Sequence, residues 1–479
     1  MKTTRRAGAQ KKKTGFGWEN TVYLKRCESY DRGNIEGIVK EGMKALCYAP
    51  RGKVFVKPNV VFASAKGKFG SSAHTNPELL AATLLSLGNS EGVERLDVGE
   101  NTGMRIPTRM FYKQAGYYDL IEGIRKQSRA KLDIFCIDEE RRDKVFVGGV
   151  VHNSVRLARR MVRADSRVYV PKLKCHNVVN MTGAVKLNIG VLSDDERAIR
   201  HDFMLIDKIV DLLKAGYPDF IVMDAIDVGV ANEIIPEVRK LGLVIMGRNP
   251  VAVDIVASRL LGYEIADVPY LKRAIERGYT PGRLSEITLA GDITTVRELD
   301  AQAKRIQPYN EEYYRWQDIH REFARLATPL RFYQGYSRLD GRQTCDYGCL
   351  MGLKLFLSVF DMYGGENAFR KARPSVLVLG RIEEEIDAKG NDVYLIGSCT
   401  DARVRNARKI VRIDKCPATT SDMNLGIGNR LGMKSPFLEA SYLLPFVGNL
   451  LIASLKKHVS GRYLQDVWHF VTRDLEKRI

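Results

Sequence analysis

Short β-branched and aromatic runs alternate with longer amphipathic stretches through the first half of the chain. Residues 53–56, 95–99, 132–137, 167–170, 219–223 and 243–246 have the composition of buried strands. Helical spacing fills several gaps between them. It covers 77–87 after the cap-forming pair Thr75-Asn76, and 201–215. It also covers 250–262, with Pro250 in the first turn and Gly262 at the stop. This alternation predicts an α/β fold with a mostly parallel sheet and flanking helices over residues 21–296. Residues 297–340 are rich in charge and aromatics and read as a helical connector. A second, smaller α/β domain is expected over 341–435, with a helix at 346–360 and strands at 375–379, 393–396 and 409–413. The remainder, 436–479, reads as a helical tail.

Composition sharpens this only in places. The chain has 479 residues, 45% of them hydrophobic, which suits a globular protein of several domains. Its net charge is +19. Part of that excess sits in Lys2, Arg5, Arg6, Lys11, Lys12 and Lys13, within a segment 1–20 that reads as a basic disordered arm. The rest is spread thinly and no nucleic-acid-binding motif accompanies it, so nucleic acid is a secondary partner. No apolar run follows the basic N-terminus, as a secretory signal would need. The apolar stretch 440–455 is short and broken by Pro445, Gly448 and Asn449, so an amphipathic helix is expected there and no membrane span. Eight cysteines without a signal point to a reducing, cytoplasmic setting.

Candidate chemistry collects where strands end. Lys57 and Asn59 follow one strand, Glu100 and Asn101 the next, then Asp138 and Glu139, then Asp224 and Asp227, then Arg248 and Asn249. The densest case is 166–190, where Pro171 stops a strand and Lys172, Lys174, His176, Thr182, Lys186 and Asn188 follow. In a parallel sheet such ends share one edge, the usual ligand edge of open α/β sheets. Four lysines there, Lys57, Lys172, Lys174 and Lys186, suit an anionic small molecule. His176, Lys174 and Asp224 are the candidates for acid–base work. Asn59, Glu100, Asn101, Thr182, Asn188 and Asp254 are the candidates for contacts to that ligand. Asp254 is notable for interrupting an apolar helix face. The plainer alternative is that loop residues after strands are polar because loops are solvated.

Cys345, Cys349, Cys399 and Cys416 form a separate group in the second half. The first two are four residues apart at a helix start; the others each follow a predicted strand. If those strands are parallel neighbours, the four thiols converge on one metal, either zinc or an iron–sulfur cluster. No CxxC pair is present, and scattered free thiols are the alternative. Cys27, Cys47, Cys136 and Cys175 read as core or site-lining thiols.

Several segments together resemble the prokaryotic family called domain of unknown function 362. They are VFVKPNVV at 54–61, HTNPELL at 74–80, DVGEN at 97–101, ADSRVYVPKLKCHNVVNMTGAVKLNIG at 164–190, IVMDAIDVG at 221–229 and NPVAVDIVASRLLGY at 249–263. The resemblance covers roughly residues 50–290. It implies association with iron–sulfur proteins; some members carry a ferredoxin module, which this sequence does not show. Residues 341–420 resemble a C-terminal extension of some members, with a Cys pair, a Cys after a strand and a Cys-Pro; Ala418 stands where a second Pro is usual. The PKLKCHN segment is also faintly similar to the nickel-pincer racemases, which place Lys and His near a cofactor. The expectation is an iron–sulfur- or metal-associated enzyme acting on an anionic small molecule, with an electron donor such as a ferredoxin. The alternative is a zinc-stabilised nucleic-acid-binding or assembly protein without catalysis.

Overall fold

The computed structural model describes residues 19–63, 73–102, 106–231, 233–234, 236–307, 316–337, 345–435 and 439–472. The basic arm therefore lies outside the described residues, apart from Glu19 and Asn20. The chain divides into two compact units. One takes the chain up to Arg197, resumes at Ile206–Tyr309 and ends with the residues from Asn449 onward. The other takes Ala198–Leu205 and the residues from Asn310 to Gly448.

The first unit runs β1 (Thr21–Arg26), α1 (Arg32–Ala45), β2 (Gly52–Pro58), α2 (Pro77–Gly88), β3 (Val93–Glu100), α3 (Thr108–Gln114), α4 (Tyr117–Arg125) and β4 (Lys131–Cys136). A hairpin of β5 (Arg142–Phe146) and β6 (Ser154–Ala158) leads through α5 (Arg159–Val162) to β7 (Ser166–Val170), β8 (Lys172–His176) and β9 (Asn180–Thr182). Then come α6 (Asp194–Ala198), α7 (Leu205–Gly216), β10 (Phe220–Val230), β11 (Glu237–Gly247), α8 (Pro250–Leu261), α9 (Pro269–Glu276), β12 (Thr288–Gly291) and α10 (Val296–Ala303).

One sheet organises this unit, in the order β12-β1-β11-β10-β7-β2-β3-β4, with β8 on β10 and β9 on β8. Pairing is parallel from β10 through β7, β2 and β3 to β4. Both faces are covered, and β10 is buried at every position but Asp227. Near-continuous apolar strands are what a sheet covered on both faces requires. The helix α2 is buried from Leu79 onward and starts where Asn76 accepts from the Glu78 N–H.

Two expectations change. The sheet is mostly parallel, as expected, but the strand ends do not all share one edge: β11 runs antiparallel to β10 and to β1. Its C-terminal residues Arg248 and Asn249 therefore sit at the opposite edge from Lys57 and Glu100. There Arg248 donates to the carbonyls of Asp219 and Cys47, and Asn249 caps α8. Second, Pro171 does not release the chain into a loop. It ends β7, and residues 172–176 resume as β8, with Lys172 opposite Asp224 and Lys174 opposite Gly229 on β10.

In the second unit, α11 (Ile319–Leu326) precedes β13 (Leu330–Gln334), so the stretch expected to be a helical connector contains a strand. A wide π-type turn, Asp346–Leu350, feeds α12 (Met351–Arg370). Then follow β14 (Ser375–Arg381), β15 (Ile386–Asp387), β16 (Asp392–Asp401), β17 (Val404–Arg405), β18 (Lys409–Ile413) and α13 (Thr420–Gly426). The sheet order is β13-β14-β16-β18, all parallel. Its core joins Phe323, Leu353, Phe356, Leu357, Leu377 and Tyr394. Two last helices, α14 (Ala440–Val459) and α15 (Arg462–Val471), complete the described chain. No described helix is long and apolar enough to cross a membrane.

Candidate functional site

The C-terminal ends of β2, β3, β7 and the first half of β10 carry a buried network of charge. Lys57 at the end of β2 donates to Glu100 Oε1 at the end of β3, 2.6 Å away, with both side chains almost fully buried. The remaining capacity of Glu100 is taken by the backbone N–H of Asn101 at 2.8 Å and of Val60 at 3.1 Å. Burial drives the Lys57 ammonium down and the Glu100 carboxyl up; each opposes the other's shift. Gly190 closes over this pair. A Cβ there would lie 2.2 Å from Glu100 Oε1 and 2.6 Å from Lys57 Nζ, so only glycine fits.

A second pair stands on β8 and β10. Lys172 donates to Asp224 Oδ2 at 3.0 Å and to Tyr30 Oη at 3.0 Å. Tyr30 in turn donates to Asp224 Oδ1 at 2.9 Å, and the Asn76 N–H donates to Oδ2 at 2.9 Å. Asp224 is thus fully engaged by protein groups.

Lys174 is fully buried and donates to the carbonyls of Ala73 at 2.6 Å and Glu233 at 2.7 Å. Burial, with repulsion from Lys186, lowers its ammonium to about 7; Glu233 opposes the shift. Lys186 is lowered to about 8 by burial, against the pull of Glu233 and with Arg197 and Lys57 adding repulsion. Lys186 has no hydrogen bond or ion pair among the described residues. Two polar atoms predicted as ligand contacts are also buried without a hydrogen-bond partner there: Asn59 Oδ1 and Thr182 Oγ1. Thr182 lies opposite Lys174 on β9.

His176 ends β8, buried, with Nε2 3.8 Å from Glu233 Oε1. Its Nδ1 accepts from the Val178 N–H at 3.2 Å, which assigns the proton to Nε2 in the neutral ring. Glu233 Oε2 accepts from the Asn177 N–H at 3.2 Å, and burial raises its carboxyl.

Other predicted residues brace the site. Asp254 on α8 accepts from the N–H groups of Ala184 at 2.6 Å and Val185 at 3.0 Å, pinning the TGAV loop. Burial raises its carboxyl to about 7. Gly183 allows the contact, since a Cβ there would meet the Asp254 carboxylate at 2.2 Å. Asn188 accepts from Tyr169 Oη at 2.7 Å. Asn101 donates to Leu192 O at 2.6 Å and to Asp194 at 3.2 Å. Asp138 and Glu139 lie in a short 3-10 turn after β4, where the Thr108 hydroxyl lies 3.3 Å from both Asp138 and Asn101, and Glu139 takes both arms of Arg109. Sequence reasoning missed Tyr30, Arg197 and Glu233. None follows a strand end with a recognisable pattern, although a carboxylate just before Pro236 between two strands was a visible signal for Glu233.

In the second unit, β16 and β18 are parallel neighbours. The Ser398 N–H donates to Lys415 O at 3.0 Å, so Cys399 and Cys416 each follow that bond by one residue. Cys345, Cys349 and Cys399 line one small cavity with Gly335, Ser337, Leu379, Gly380 and Ile396. Cys416 is close enough to Cys345 and Cys349 to repel their thiolates. Burial pushes Cys345 and Cys349 up to about 12 and raises Cys416. The Ala418 N–H donates to Cys349 Sγ at 3.2 Å. Gly397, with φ of +99°, leaves the space beside Cys349 Sγ, where a Cβ would come within 2.9 Å. Among the described residues no group of three or more His, Cys, Asp or Glu is placed to hold a metal ion as it stands. Three of the four thiols line one cavity, and a backbone N–H is aimed at the sulfur of Cys349.

Among known proteins, a thylakoid-associated protein of Synechocystis is 24% identical over 273 residues, which is 54% of this chain and 80% of that protein. The lactate racemase apoprotein of Thermoanaerobacterium thermosaccharolyticum aligns at 13% identity with a TM-score of 0.32, over 77% of this chain and 71% of its own. Residues 54–259, the stretch that holds Lys57, Glu100, Lys172, Lys174, His176, Lys186, Asp224 and Glu233, match the family described as Domain of unknown function (DUF362).

Proposed function

We propose that the chain is a metal-associated enzyme that binds an anionic small molecule at the strand-end edge of its first unit. The observation that carries this reading is Lys186, an ammonium without a hydrogen bond or ion pair among the described residues, set among Lys174, Lys57 and Arg197. A buried ammonium without a hydrogen-bond partner is unfavourable. A bound anion accepts hydrogen bonds from Lys186 and the Thr182 hydroxyl, and a hydroxyl of the same ligand donates to Asn59 Oδ1.

Within this reading each residue has a task. Lys186 holds the anion. Lys57 and Lys174 supply positive potential from below, and Lys172, fixed by Asp224 and Tyr30, adds to it. His176, whose neutral ring carries its proton on Nε2, donates a hydrogen bond from Nε2 to the ligand, with Glu233 Oε1 3.8 Å from the same nitrogen. Lys174 adds to the field at that hydrogen bond, which it shares with Glu233. Asp254 holds the 183–185 loop in place. In the second unit Cys345, Cys349, Cys399 and Cys416 would hold an iron–sulfur cluster, or zinc, as thiolates. An iron–sulfur cluster supplies one-electron transfer and zinc supplies structure. An electron donor such as a ferredoxin is a partner only in the first case.

The test is a thermal-shift panel of small anions (phosphate, pyrophosphate, di- and tricarboxylates) on the full chain and on Lys186→Gln. At least one anion is expected to raise the melting temperature of the unsubstituted chain by several degrees and to lose that effect in the variant. A panel without response, or a response that Lys186→Gln leaves intact, contradicts the reading.

A further inference from the structure

The last helix of the chain is amphipathic in the reverse sense. A surface helix ordinarily turns its apolar stripe inward and its polar face to water. In α15 the polar side faces the protein. Arg462 donates to the carbonyls of Asp138 and Glu140, at 3.4 and 3.2 Å. Gln465 exchanges hydrogen bonds with the Arg142 backbone, at 2.7 and 2.9 Å. Asp466 accepts from Arg142 at 2.6 Å. The other side of α15 is entirely apolar and faces outward: Tyr463, Leu464, Val467, Trp468, Phe470 and Val471, with Trp468 65% and Phe470 86% exposed. The last part of the preceding helix α14, where only Ala453 is buried, leaves Leu451, Ile452, Leu455 and Val459 exposed. The β5–β6 hairpin that receives α15 adds Phe146 and Val150.

We propose that α15 and the part of α14 in the same unit, residues 449–459, form a docking surface that lies in the headgroup region of an anionic lipid bilayer. Several features select lipid as the occupant. Exposed aliphatic side chains mixed with Trp, Tyr and Phe are what an interfacial helix presents. No described helix can cross a membrane, so the helices lie on the surface. Lys456 and His458 stand exposed at the end of α14. The chain as a whole carries +19. A second copy would set Lys456 and His458, with that net charge, against themselves. Anionic headgroups neutralise them.

The experiment is flotation of the full chain with two kinds of vesicle: phosphatidylcholine alone, and phosphatidylcholine mixed with phosphatidylglycerol. Binding is expected on the mixed vesicles and is weaker by about tenfold on the neutral ones. The variant Leu451→Glu with Trp468→Glu, both at exposed positions, keeps its circular dichroism and thermal midpoint and loses flotation by at least about tenfold. Tryptophan fluorescence of the unsubstituted chain is expected to be quenched by brominated lipid in the mixed vesicles, which reads insertion without any substitution. Absence of flotation, flotation that the variant retains, or absence of quenching overturns the proposal. So does a concentration-dependent dimer without lipid that Trp468→Glu dissociates, since a second copy would then be the occupant.

Discussion

A buried ion pair contributes most when one partner is removed, because the other is left charged and unpaired. For Lys57 and Glu100, at 2.6 Å and almost fully buried, Lys57→Met is expected to destabilise the protein by about 3–5 kcal/mol. Adding Glu100→Gln to Lys57→Met is expected to return a large part of that loss. Denaturant midpoints of the two variants and the unsubstituted chain check both. A pair without mutual dependence would instead give additive losses.

The lowered lysines give a pH dependence of definite sign. Lys174 and Lys186 release their protons near 7 and 8 in the folded protein, against 10.5 when unfolded. Between those values the unfolded chain binds more protons, so these two groups make stability rise with pH from about 7 to 10.5. Asp254 acts in the opposite sense in a lower window. Its carboxyl, raised from 3.8 to about 7, holds a proton in the fold that the unfolded chain has lost, so its contribution falls as pH rises from about 4 to 7. Urea midpoints against pH are expected to flatten above 7 in Lys174→Met with Lys186→Met, and below 7 in Asp254→Asn.

At the scale of elements, the loop from β9 to α6 is shaped by two close approaches. Gly183 rests on Asp254, and Gly190 rests on the Lys57–Glu100 pair. Gly183→Ala is expected to cost about 1–3 kcal/mol and to weaken anion binding, because its Cβ displaces a carboxylate that holds two backbone N–H groups. Stability and the thermal-shift response are measured together; a loss of one without the other would separate the brace from the site.

Strand positions were legible because buried strands are apolar on both faces: FIVM and VIMG announce β10 and β11 whatever their direction. Direction was not legible, since a tight connection and a crossover are told apart only by the residues between them. The stretch 231–236 lacks helical spacing, and that was the available sign that β11 turns back. Its reversal removes Arg248 and Asn249 from the ligand edge. The lysines of 172–186 were legible as a group. Their partners were not, because Tyr30 and Glu233 reach Asp224, Lys174 and His176 through space.

At the scale of the molecule, the chain holds its titratable and thiophilic chemistry in separate units. Cys345 and Cys349, pushed up by burial, favour the deprotonated state only beside a cation. The anaerobically purified full chain is therefore expected to carry metal, and Cys345→Ser with Cys349→Ser to lose it. Metal and acid-labile sulfide analysis with a visible spectrum reads the outcome. Broad visible absorption with sulfide means an iron–sulfur cluster. A colourless protein with one zinc per chain removes the redox version and leaves a structural centre.

That Lys186 is the cation reserved for an anionic ligand is checked by calorimetry. The most stabilising anion of the thermal-shift panel is titrated into the full chain at pH 8, in two buffers of different ionisation enthalpy. At that pH Lys186, lowered to about 8, is about half protonated, and a bound anion favours its charged form. The expected result is binding with net proton uptake of about half a proton, lost in Lys186→Gln and weakening as pH rises further. Binding with no proton uptake, or with the same affinity in Lys186→Gln, would mean that Lys186 does not hold the anion.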